Sequence, residues 1–262
     1  MNDEADDLVD AAFGARPDLW PLPAARTAAG LWHRAVAAGG QGRYARALAD
    51  LEALSRAPGA ASFASVAHST RASFLRQLGH HAAARPYDGQ AWALAGGDPD
   101  AGADALVGLA ADALGVGRFA LSARLLTRAE PLAGGATDRV RVRSAWVNAE
   151  LAMFTGRGEL AVGHAERAVD LAGSVGSARH AVKSQVVLAA ALCSVGDVAG
   201  SRRVADAALD RSRRLGLIPL SWALASLLAD VGSAVLAPPD VAALRDESAA
   251  TVRVGGGVWS VR

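Results

Sequence analysis

Residues Ala181 to Gly216 read AVKSQVVLAAALCSVGDVAGSRRVADAALDRSRRLG. In the first half Gln185, Leu188, Ala189 and Leu192 recur at i, i+3, i+4 and i+7, so they share one helix face. Gly196 and Asp197 interrupt that pattern. Glycine accepts the left-handed conformation that ends a helix, and the aspartate can receive the free amides of the next one. In the second half Val198, Ser201, Ala205, Ala208 and Leu209 form a narrow stripe of small residues. Small side chains let two antiparallel helices approach closely. The stretch is therefore a helix hairpin.

The hairpin recurs. Similar turns stand at Gly42-Arg43-Tyr44, Gly79-His80-His81, Gly117-Arg118-Phe119 and Gly156-Arg157-Gly158, so the glycines at 42, 79, 117, 156 and 196 are 37, 38, 39 and 40 residues apart. Five residues after each comes Ala47, Ala84, Ser122, Ala161 or Ser201, and seven before each comes Ala35, Ala72, Ala110, Ala149 or Ala189. A weaker sixth turn lies at Val231-Gly232-Ser233. Coupled offsets of this kind mark an array of repeated units.

A turn glycine, then Arg or Asp, then a bulky residue, then a small one resembles the tetratricopeptide repeat. The resemblance covers roughly residues 24 to 236 and is good at Gly42-Arg43-Tyr44 with Ala47 and at Gly117-Arg118-Phe119 with Ser122. Gly158 departs from it, standing where a bulky residue is expected. The spacing also exceeds the usual ~34 residues. The resemblance implies an all-α solenoid of about five to six antiparallel hairpins in a right-handed superhelix, with a concave groove for a protein or peptide.

Composition agrees with a helical array. Hydrophobic residues make up 52% and aromatics only 5%, which suits alanine-rich helices and excludes disorder. The chain is long for one core, yet a stacked array extends its core with each unit. With 27 basic and 26 acidic residues there is no overall field to attract nucleic acid or an anionic membrane, so neither partner is expected. The single cysteine, Cys193, excludes an internal disulfide and fits a reducing compartment. The acidic start MNDEADDLVD is unlike a signal peptide, and no apolar run is long enough to span a bilayer. A cytoplasmic location is expected.

The chain divides into an acidic segment (1–23), the repeat array (24–236) and a terminal cap and tail (237–262). Pro17, Pro21 and Pro23 hold the first linker extended. Asp240 is expected to cap a short helix through Asp246. The tail TVRVGGGVWSVR from Thr251 has two β-prone arms around three glycines and is read as either a small β-hairpin or an unstructured tail.

Little points to catalysis. Gly115-Val116-Gly117-Arg118-Phe119-Ala120 matches a dinucleotide fingerprint only nominally, because helices flank it where a βαβ unit is required. The six histidines show no zinc-ligand spacing, and no nucleophile elbow or Walker loop occurs. No enzyme activity, catalytic residue, metal or cofactor is expected. Helix 200–215 carries Arg202, Arg203, Arg211, Arg213 and Arg214 against Asp206 and Asp210; this fits an anion or nucleic-acid contact, but no other unit continues the stripe, so a solvated face with local ion pairs is the preferred reading.

The groove residues come from the resemblance. First-helix residues thirteen, ten, six, three and two before the turn glycine face the groove in that family. Carried over, this selects Trp32, Trp146 and Trp222, each ten residues before a glycine. It also selects Ser73, Arg76 and Gln77, then Arg143, Glu150, Met153 and Phe154, then Lys183, Cys193 and Ser194, and finally Asp230. Trp222 is expected in the groove, because Leu224, Ala225 and Leu228 already give its helix a packing face. Trp32 and Trp146 fit either the groove or a buried position one residue out of register. A non-enzymatic adaptor is expected, with tryptophans as apolar anchors and Arg143 and Lys183 gripping an acidic group. The alternative is an effector-sensing regulatory repeat protein acting on transcription or signalling.

Overall fold

In the computed structural model, which describes residues 2–260, the turn glycines organise the backbone. Gly42, Gly79, Gly117, Gly156 and Gly196 have φ of 79°, 87°, 76°, 70° and 82°, where a side chain is disfavoured. The residue after each donates its N–H to the carbonyl five residues back: Arg43 to Ala38, His80 to Leu75, Arg118 to Ala113, Arg157 to Ala152 and Asp197 to Leu192, at 2.8–3.0 Å. This is the Schellman closure of a helix C-terminus, made at each of the five repeat turns and again after Gly216 and Gly256.

Thirteen α-helices result among the described residues. Helix α1 (Asn2–Phe13) precedes six pairs: α2 (Ala28–Gly40) with α3 (Tyr44–Leu54), α4 (Ala60–Gln77) with α5 (His81–Leu94), and α6 (Pro99–Gly115) with α7 (Phe119–Ala133). The others are α8 (Asp138–Phe154) with α9 (Gly158–Val175), α10 (Ala178–Ser194) with α11 (Val198–Arg214), and α12 (Ile218–Val231) with α13 (Pro238–Val254). Side-chain caps start several of them: Thr27 accepts from Gly30 N, Asp98 from Asp100 N and Asp197 from Gly200 N. Each pair packs together, and α2, α4, α6, α8, α10 and α12 pack each on the next to form an inner layer. The architecture is a helical solenoid.

The small-residue register explains the packing. Ala47, Ala84, Ser122, Ala161 and Ser201, with Ala35, Ala72, Ala110, Ala149 and Ala189, are all 0% exposed. They sit where helices touch, and a larger side chain would have no room. The departure at Gly158 has a local cause, because a Cβ there would collide with Val195 of the next turn.

The last pair reaches back to the first. Val252 of α13, Ile218 of α12 and Trp259 join a core with Ala35, Tyr44 and Phe74. Ala45 N–H donates to Gly255 O at 2.8 Å, and Ser260 N–H to Leu78 O at 2.9 Å. The N-terminal linker fills the same seam: Gln41 Nε2 donates to Pro17 O (2.8 Å) and Leu19 O (2.9 Å). Helix α1 buries Leu8, Ala11 and Ala12, at i, i+3 and i+4, with Ala11 and Ala12 packing against Val36 and Ala37 of α2. Just past it, Gly14 O accepts from Ala178 N of α10 at 3.0 Å.

Two expectations for the C-terminus are corrected. No strand occurs among the described residues, and the β-hairpin arm Thr251–Val254 is the last turn of α13. Val252 is fully buried against the first hairpin, and that packing outweighs the β-propensity of Thr251, Val252 and Val254. The terminal helix runs to Val254 instead of stopping near Asp246, and it completes a sixth pair with α12.

Candidate functional site

Charged side chains of the inner helices and of the outer helices α3 and α5 are arranged in two tiers. Asp50, Asp88, Asp104 and Asp112 are only 0–4% exposed, while Arg34, Arg76, Arg139 and Arg143, which they hold, are 10–17% exposed. Arg34 grips Asp50 through two bonds, at 2.7 and 2.9 Å. Arg76 of α4 bridges Asp88 of α5 and Asp112 of α6. Asp104 of α6 accepts from Arg139 and Arg143 of α8. The carboxylates therefore lie behind and the guanidinium groups reach the inner surface. Gly108 makes this possible at one point, since a Cβ there would strike the Asp88 carboxylate.

Burial raises the Asp104 carboxyl, but Arg139 and Arg143 outweigh it and hold it below the usual range. At the other cluster burial wins: Asp112 is pushed up to about 7, with Arg76 opposing and Asp88 adding to the rise.

Arg179 breaks the two-tier rule. It stands second in α10, where the helix dipole already disfavours a cation. It meets no carboxylate among the described residues, and its Nε is buried without an acceptor. Burial, then the nearby Arg139 and Arg143, push its pKa down to about 10, which leaves it charged at neutral pH. The Phe13 ring lies between the charges, 5.8 Å from the Arg179 guanidinium carbon and 6.0 Å from that of Arg139. His180, buried beside it, is driven well below its ordinary value by burial and by Arg179, Arg139 and Arg143. It is neutral, and its Nδ1 lies 2.8 Å from Ser177 Oγ.

An aromatic series crosses this region. Phe63 packs on Trp32, Trp32 on Phe13, Phe13 on His180 and His180 on Trp146, with ring centroids 5.9, 5.3, 6.2 and 5.4 Å apart. Phe13 thus joins the first hairpin to the fifth.

The residues selected from sequence fall into three groups. The tryptophans have internal partners. Trp32 Nε1 donates to Thr70 Oγ1 at 3.0 Å, Trp146 Nε1 to Ser184 Oγ at 2.9 Å, and Trp222 packs on Trp259 at 4.2 Å between centroids. The cations are also engaged: Arg76 and Arg143 as above, and Lys183 with Glu150 at 3.4 Å. Lys183 Nζ also lies 5.9 Å from the Trp146 ring. The remaining residues are peripheral. Gln77 accepts from Tyr44 OH at 3.0 Å and donates to Ser73 at 3.4 Å, and Asp230 is exposed at the end of α12. Arg143 and Lys183 lie on neighbouring first helices, Arg143 sharing Asp104 with Arg139 and Lys183 paired with Glu150.

Sequence reasoning missed Arg179, Phe13 and Trp259. Phe13 had a visible signal, since Leu8, Ala11 and Ala12 make α1 amphipathic. Arg179 had a faint one, an arginine just after a Gly-Ser helix start. In the basic helix 200–215, Arg202 Nε donates to Val231 O at 2.6 Å and Asp206 accepts from Ser233 Oγ and Ala234 N, so both secure the end of α12. Asp210 pairs with Arg214 at 2.7 Å.

Among the described residues no group of three His, Cys, Asp or Glu side chains is placed to hold a metal ion, and no helix is long and apolar enough to cross a membrane. The chain matches no family model and no curated protein sequence.

Proposed function

We propose that the chain is a non-enzymatic binding scaffold of the tetratricopeptide type, whose inner face takes an acidic segment of a partner protein in the cytoplasm. One observation carries this reading: Arg179 places a positive charge on the inner face, beside Arg139 and Arg143, and no carboxylate among the described residues meets it. An uncompensated, partly buried guanidinium is costly, and an acidic side chain from outside offsets that cost. The buried aspartates hold the neighbouring guanidinium forks in fixed orientations, so a partner meets donors that are already arranged. Trp146 and Lys183 continue the face with an apolar surface next to a second cation. The acidic segment can be a peptide or one face of a helix.

Capture from native lysate on the immobilised full chain tests this, with wild type and Arg179→Glu compared by quantitative mass spectrometry. A partner enriched by wild type and depleted at least tenfold by the variant is expected. If every captured protein is recovered equally by both, the inner face is not the binding site.

A further inference from the structure

The chain's own ends show how the turn edge of this array holds an extended segment. At the second hairpin, Ser260 N–H donates to the Leu78 carbonyl at 2.9 Å, and His80 Nε2 donates to the Val258 carbonyl at 2.8 Å. At the first hairpin, Arg43 occupies the same position after the turn glycine as His80, and its guanidinium carbon lies 3.6 Å from the Trp20 ring centroid. A basic residue after the glycine thus meets a segment of the chain itself at both turns.

The next two hairpins repeat the arrangement without a covering segment among the described residues. Arg118 and Arg157 follow Gly117 and Gly156, and both are exposed. Arg157 reaches only the hydroxyl of Thr155, at 3.0 Å. Phe119 and Phe154 stack with centroids 5.9 Å apart, and Phe154 is 65% exposed. Val116 (46% exposed) and Val195 (42%) extend the strip at either side. The carbonyls of Val116 and Thr155, the counterparts of Leu78, receive no backbone hydrogen bond from the described residues. The edge is continuous with the occupied part: His81 abuts Gly115, Phe119 meets Phe154, and Val195 abuts Gly158. It ends at the fifth hairpin, where Asp197 stands in the basic position and caps its own helix.

We propose that the turn edge from Val116 to Val195 is a docking track for an extended segment of a partner protein, apolar with an aromatic residue at its centre and acidic at its flanks. The amides of that segment donate to the Val116 and Thr155 carbonyls, as Ser260 does to Leu78. Its apolar side chains cover Phe119, Phe154 and Val195, which a soluble surface would otherwise leave bare. Its acids meet Arg118 and Arg157. The model for the apolar centre is the chain's own Val258-Trp259-Ser260, and the two arginines call for the acidic flanks. The track lies on the turns and does not depend on the inner-face reading.

Selection of a random decapeptide library on phage against the immobilised full chain tests the track. Enriched clones are expected to share an aliphatic and aromatic centre with Asp or Glu on both sides. The synthetic consensus peptide should bind at least tenfold more weakly to Phe154→Ser, and likewise to the double variant Arg118→Glu/Arg157→Glu. These side chains are on the surface, so thermal melts followed by circular dichroism should match wild type. A selection that enriches nothing overturns the proposal, as does a consensus that binds the variants as tightly as wild type. A consensus lost only with Arg179→Glu places the binding on the inner face and also overturns it. If the purified chain dimerises with concentration and Phe154→Ser abolishes the dimer, the edge serves a second copy and the partner-segment proposal fails.

Discussion

The ring of Phe13 packs 5.3 Å from that of Trp32, so the helix preceding the array places its last residue against the inner face of the first hairpin. Phe13 also reaches His180, and one side chain thereby ties the start of the array to its fifth pair. Phe13→Ala should cost roughly 2 kcal/mol, less than a fully buried phenylalanine because the ring is only partly buried. Amide exchange in α1 should quicken with it, since α1 holds to the array mainly through this ring, Leu8, Ala11 and Ala12. Unchanged exchange across residues 4–13 would mean that α1 is anchored elsewhere.

Trp222 and Trp259 form the matching contact at the other end, with centroids 4.2 Å apart. Trp222 was expected to line an open groove, and the tail covers it instead. Replacing either by alanine should destabilise the chain by roughly 2–3 kcal/mol. A double-mutant cycle should return a coupling of ~0.5–1.5 kcal/mol. Zero coupling would show that the tail is not held by this pair.

Ala161 is 0% exposed between α8 and α9. Ala161→Leu should overpack that contact and cost ~1–3 kcal/mol. An unchanged melting temperature would contradict the register in which the hairpins stack.

Asp112 links stability to pH. Burial lifts its carboxyl from 3.8 to about 7, against the pull of Arg76 and with the help of Asp88. An acid whose pKa is raised on folding contributes stability at low pH, and that contribution is lost as pH rises through the folded value. The loss should therefore run from about pH 4 to about pH 7 and level off above it. His180 acts in the opposite sense, since it stays neutral in the fold and loses stability for the chain as pH falls below 6.5. The two separate by difference. Asp112→Asn should gain on wild type as pH rises from 5 to 8 in thermal melts, and a difference independent of pH would contradict the raised carboxyl.

The repeat was legible because it is written in single residues with one physical role each. Glycines 42, 79, 117, 156 and 196 take the left-handed turn, and the small residues around them vanish into the contacts. The inner ion network was not legible. Asp104 meets Arg139 and Arg143 from another hairpin, and only the stacking register decides which charges face each other. The covers over Trp32 and Trp222 were hidden for a different reason. Phe13 and Trp259 come from the ends of the chain, outside the repeat, so no offset within the repeat could point to them. The tail was misjudged because the β-branched Val252 found a buried place on a helix.

The most direct test of Arg179 as a residue held for a ligand is the thermal melt of Arg179→Met. Methionine keeps the unbranched stem and removes the charge. If the guanidinium is an uncompensated charge kept for an acidic partner, its removal should stabilise the free chain by roughly 1–3 kcal/mol and raise the melting temperature. A fall in melting temperature would mean that Arg179 holds the fold together, and the inner face would lose the observation on which its binding role rests.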